Sequence, residues 1–161
     1  MALLVAVMTV ACGSSSAAGG TTSSNGFTAA QLCALATPAE VGAALGRSVP
    51  AGVPSGVNAP SCTWTAADAS AVTIAATDTA SVGKLPYGLQ NVSGAHVTSI
   101  PNLGDAAFFA SGGDDSPTAE LDMKKGGRAV TITGAVAGGT MTQAQQEAIE
   151  KAVAIAAAGR M

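Results

Sequence analysis

The sequence predicts an α+β fold, an antiparallel sheet of about five strands with two short N-terminal helices and a C-terminal helix packed on it. Three observations carry this expectation. Two successive capping boxes open short helices at Thr28 and Thr37. Apolar and polar residues alternate with period two through much of 62–136. An apolar stripe at helical spacing then marks the last twenty or so residues.

The elements follow in order. Thr28 with Gln31 forms the first capping box and Phe27 with Leu32 its hydrophobic staple, so a helix is expected over about Ala29–Leu35. Thr37, Pro38 and Glu40 repeat the signature, Val41, Ala44 and Leu45 supply an apolar face, and Gly46 ends the second helix. Arg47–Pro60 carries three Pro and two Gly and reads as an irregular surface loop. Cys62–Ala66 and Ala71–Ala76 alternate as strands around a hairpin loop. Asp78–Ser93 is ambiguous and suits a short helix near Thr79–Lys84, broken by Pro86. Val97–Ile100 and Ala106–Ala110 are further strands, with Leu103-Gly-Asp105 as the turn between them. Thr118–Met123 and Arg128–Val136 form the clearest hairpin, joined through Lys124, Lys125, Gly126 and Gly127. The closing helix runs from about Thr142 to Ala158 with Ile149, Ala152, Val153 and Ala156 as its stripe.

The chain has 161 residues, only 11% of them charged and 3% aromatic. Such a composition suits one domain with a thin core of Ala, Val, Leu and Ile, for which a covalent staple is useful. The net charge of −3, with seven scattered Lys and Arg, argues against a nucleic-acid partner. Lys124, Lys125 and Arg128 are read as a solvated hairpin end.

Ala2–Val10 is too short to span a bilayer, which takes about 20 apolar residues. It has the length of the apolar core of a secretory signal. The order of apolar run, small residue and cysteine in Thr9-Val-Ala-Cys12 resembles the lipobox of bacterial lipoprotein signals, with Thr9 in place of the usual aliphatic residue. That resemblance implies cleavage before Cys12 and lipidation of it. No Lys or Arg precedes the run, so either a natural start further upstream or a missing part of the signal is expected. Residues 12–26, after Cys12 itself, are Gly, Ser, Thr and Ala with one Asn and no charge, a flexible tether spanning roughly 20 Å by random-coil scaling. The expected organisation is a signal peptide over 1–11, a lipid-anchored linker over 12–26 and a single domain over 27–161. The lipid anchor would make the membrane its first partner and place the domain outside the cytoplasm, on the outer face of the cell membrane.

With Cys12 assigned to lipid, Cys33 and Cys62 remain as an even pair in an oxidising compartment, where a disulfide is expected. Closing a loop of about 30 residues adds roughly 3–4 kcal/mol in the chain-entropy model. Two buried free thiols or a redox pair are the alternatives, the latter without the Cys-x-x-Cys spacing. The string from Cys33 through Thr37-Pro-Ala-Glu-Val41 to Gly46, then Cys62-Thr-Trp64 and Leu103-Gly-Asp-Ala106, resembles the actinobacterial lipoproteins of domain of unknown function 3558 over about Phe27–Ala158. That resemblance implies a lipid-anchored, surface-exposed domain and leaves its activity open.

The chain offers few residues for catalytic chemistry. His96 is the one histidine, and a Ser–His–Asp site would need it beside a serine and a carboxylate such as Asp105. No Gly-x-Ser-x-Gly elbow places that serine, so His96 reads as a strand-edge residue. One histidine does not make a zinc site, and no metal or cofactor is expected. Asp114, Asp115, Glu120 and Asp122 read as a solvated acidic loop without EF-hand spacing. Gly83-Lys84 lacks the following Ser or Thr of a phosphate-binding loop. Tyr87, Phe108 and Phe109 are the remaining candidates, as rings lining a groove beside the Lys84–Asn91 loop. The expectation is therefore a non-enzymatic envelope module that binds a partner protein or small ligand. A structural lipoprotein without a ligand, or a hydrolase using His96, is the alternative.

Overall fold

The computed structural model describes residues 26–56, 59–113, 119–139 and 141–161. Cys12 with the apolar run and most of the linker, and the pair Asp114–Asp115, lie outside the described residues. The chain runs α1 (Ala29–Cys33), α2 (Pro38–Leu45), β1 (Val53–Ser55), β2 (Ser61–Thr65), β3 (Ala71–Ala76), β4 (His96–Ser99), β5 (Ala106–Ser111), β6 (Ala119–Lys125), β7 (Arg128–Ala135) and α3 (Gln143–Ala158). A single 3-10 turn, Tyr87–Leu89, interrupts the long connection from β3 to β4.

Both N-terminal helices start as their side chains dictate. Thr28 Oγ1 accepts from the Gln31 N–H while Gln31 Oε1 accepts from the Thr28 N–H, at 3.2 and 2.8 Å. Thr37 and Glu40 repeat this reciprocal arrangement, and Gly46 closes α2 in the left-handed region. Helix α1 stops at Cys33, two residues short of the expected end. The Cys33–Cys62 disulfide joins it to β2, with Cα atoms 5.0 Å apart.

All strand pairs are antiparallel, but the sheet has seven strands rather than about five, in the order β1-β2-β3-β7-β6-β5-β4. It is two meanders joined where β3 pairs with β7, with Ile74 opposite Ile132. Strand β1 lies inside the segment expected to be an irregular loop. Its central residue is Pro54, which is tolerated because an edge strand leaves one side of the backbone unpaired. The expected helix near Thr79–Lys84 does not form. Asp78 Oδ1 accepts from the Ala80 N–H, and tight turns at Ser81 and Lys84 take the backbone instead. The β6–β7 turn is the pair Gly126-Gly127, both at positive φ, and Lys124 and Lys125 belong to β6. The expected solvated hairpin end is therefore wrong in part: Lys125 Nζ donates to the Ala158 carbonyl, and the Arg128 guanidinium sits 5.0 Å from the centre of the Phe27 ring.

One face of the sheet carries the main core. Cys62, Trp64, Val72, Ile74, Leu121, Met123, Val130 and Ile132 point into it and are essentially buried. Helix α3 packs on β6 and β7, α2 packs on α3, and α1 packs on β1 to β3. The buried side of α3 keeps Val153 of the expected stripe, with Ile149 half-buried against the core, and otherwise differs from it. It consists of Gln146, Glu150, Val153, Ala154 and Ala157, while Ala152 is exposed. Gln146 and Glu150 are buried because the β6–β7 ladder ends beneath them. Gln146 Nε2 donates to the Ala119 and Gly134 carbonyls, and Glu150 Oε1 accepts from the Gly134 N–H at 2.9 Å. The two side chains occupy the bonding groups that the next ladder pair would have used. Glu150 Oε2 is buried without a partner among the described residues. Arg160 then ties the end of α3 to the first helices through the Leu35 carbonyl and Glu40, and the guanidinium, with Thr37, holds Glu40 down at about 2.

Candidate functional site

The opposite face of the sheet carries Phe108, Ala110, Glu120, Asp122 and Thr131, the alternate residues of β5, β6 and β7. The connection over residues 77–95 has to travel from the middle of the sheet to its far edge, and part of it lies on this face. Gly83 rests on the Phe108 ring so closely that a Cβ there would stand 2.9 Å from it. Leu89 and Ala110 are buried but stand outside the main core cluster.

A polar cleft of about 350 Å3 remains between this connection and β6. Glu120 and Asp122 line it from the sheet. Lys84, Tyr87 and Gln90 line it from the connection, with Leu85 and Pro86 as an apolar wall. Tyr87 is 89% exposed, an unusual position for a large ring.

The acidic pair is not in the solvated loop that the sequence suggested. Strand β6 carries both carboxylates, and Asp122 is only 5% exposed. Asp122 Oδ1 accepts from Thr131 Oγ1 at 2.6 Å, yet burial raises its carboxyl above the ordinary aspartate value. Burial, reinforced by the neighbouring Asp122, pushes Glu120 up to about 7. Among the described residues Glu120 has no side-chain hydrogen bond. The ion pairs found there, Arg47 with Asp68 and Arg160 with Glu40, involve neither carboxylate. Lys84 thus shares the cleft without neutralising it.

Phe109 is buried in the main core and Phe108 supports the connection, so of the three rings Tyr87 alone lines the cleft. His96 is exposed at the start of edge strand β4, and its Nδ1 lies 3.0 Å from the Gly94 carbonyl. Asp105 is not beside it: Asp105 Oδ2 accepts from the Gly126 N–H and braces the β6–β7 turn. Among the described residues no three His, Cys, Asp or Glu side chains converge on a metal position, and no helix is long and apolar enough to cross a membrane. A second, apolar concavity of about 400 Å3 lies between the end of α2 and the start of α3, against Leu45, Val136, Met141 and Ile149.

The sequence grouped Glu120 and Asp122 with a solvated acidic loop although both fall within the expected strand Thr118–Met123. The cover that the 77–95 connection supplies over that strand has no signal in the local sequence. No family model, curated protein or solved structure matches the chain.

Proposed function

We propose that the protein is a lipid-anchored extracytoplasmic binding module whose ligand site is the cleft between β6 and the 77–95 connection. Burial of adjacent carboxylates is unfavourable unless an opposite charge compensates it. Here two carboxylates are desolvated side by side with no cation in ion-pair reach among the described residues. That single observation supports a ligand as the missing partner, since such perturbed groups in a cleft concentrate at functional sites. The anchor rests on Thr9-Val-Ala-Cys12, the uncharged linker and the resemblance to the lipoproteins of domain of unknown function 3558. The Cys33–Cys62 bridge accords with an oxidising compartment.

Two experiments test the two halves. Metabolic labelling with a radiolabelled fatty acid should mark the wild type and leave Cys12→Ser unlabelled; equal labelling of both would remove the anchor. A fragment screen by NMR should give hits whose shifts centre on Tyr87 and Gln90 and vanish in Tyr87→Ala. Hits confined to the α2–α3 concavity would move the site there.

A further inference from the structure

We infer that the cleft recognises an organic ammonium group, held between Glu120 and Asp122 with its apolar body against Tyr87, Leu85 and Pro86. The inference rests on the reading of this cleft as the ligand site and adds the chemistry of the ligand. Three features converge on it. Asp122 is nine-tenths buried, and Thr131 occupies one of its two carboxylate oxygens. Glu120 lines the same space with its carboxylate unbonded among the described residues. Tyr87 presents an exposed ring at the mouth, and an aromatic face attracts a cation through its quadrupole. The volume, about 350 Å3, suits a small organic molecule rather than a bare metal ion, and no third metal-ligating side chain converges there among the described residues.

The titratable and charged groups around Glu120 are Asp122 on its own strand, Lys84 and Tyr87 from the connection, and Glu150 acting from α3 across the sheet. With both carboxylates ionised and Lys84 charged, the cleft carries one net negative charge, matched by one ammonium. Binding the cation favours the ionised acids, so it releases protons and strengthens as pH rises through about 7. Lys84 opposes the ligand.

The test is isothermal titration calorimetry of the full chain in detergent with n-pentylammonium, and with n-pentanol and pentanoate as neutral and anionic counterparts. Pentylammonium should bind about tenfold more tightly at pH 8 than at pH 6, following the ionised fraction of a group titrating near 7. Glu120→Gln should weaken it by about tenfold or more, as expected for loss of a charge-assisted contact. Lys84→Ala, at an exposed position whose loss leaves the core intact, should tighten it. Pentanol or pentanoate binding as well as pentylammonium, with NMR shifts at Tyr87, would overturn the ammonium inference and keep the cleft as a ligand site. Pentylammonium binding that ignores pH and is unchanged or weakened by Lys84→Ala would also overturn it. A Tyr87 unperturbed by all three probes and by the fragment screen would remove both readings.

Discussion

Glu150→Gln should stabilise the protein at neutral and alkaline pH while changing little near pH 4. Glu150 is fully buried, and burial pushes its carboxyl up to about 8, only partly offset by the Gly134 N–H and the Gln146 amide. The direction is the reverse of a paired surface carboxylate. Below pH 4.5 the acid is protonated in both folded and unfolded chains and contributes nothing to the balance. Between 4.5 and about 8 the unfolded chain gives up the proton and the folded chain keeps it, so stability falls as pH rises. Above about 8 both forms are ionised and the loss is complete and constant. The displacement corresponds to a ceiling on the order of 4–5 kcal/mol. Glutamine matches the protonated acid in shape, and its Oε1 can still accept from Gly134 and Gln146. Its Nε2 inherits the unpartnered position of Oε2. A gain of about 2–4 kcal/mol at pH 8 is therefore expected, vanishing towards pH 4. Urea unfolding between pH 4 and 9, followed by the fluorescence of Trp64, the one tryptophan and a buried one, measures it. Parallel profiles for wild type and variant would refute the assignment of a buried, protonated Glu150.

The remaining predictions concern the covalent and steric frame. Cys33→Ala with Cys62→Ala should lower stability by roughly 3–4 kcal/mol in urea. Mass spectrometry of the native protein without reductant should show both thiols blocked to alkylation, and two alkylated cysteines would remove the bridge. Gly52→Ala places a Cβ 2.5 Å from Cys62 Sγ and 2.6 Å from the Trp64 ring, and should cost about 1–3 kcal/mol. Gly88→Ala, where a Cβ meets nothing within 4 Å, is the control, and an equal loss in both would show that the contact at Gly52 is not the cause.

Local rules carried far along this chain. Thr28-x-x-Gln31 and Thr37-x-x-Glu40 specify their own helix starts because the bonds run between residues three apart. Gly126-Gly127 specifies the hairpin because both positions need positive φ. Where the sequence misled, the controlling partner was distant. The stripe of α3 held at Ile149 and Val153 but was incomplete, because Gln146 and Glu150, polar and thus invisible to a hydrophobic count, are buried to complete the open end of β6 and β7. Strand β1 looked like a loop because its ladder is supplied wholly by β2 and its proline is legal only at an edge.

By itself, then, the sequence determined the class, the helix starts and most of the strands, since each rests on period or cap chemistry. The tertiary structure alone decided that β3 pairs with β7, so that the following segment must cross the sheet to reach its edge. That crossing covers Phe108, buries Asp122, and turns two carboxylates on a strand into the wall of a cleft. No local pattern encodes it, because the desolvation of Glu120 and Asp122 is produced by residues about 30 to 45 positions earlier in the chain.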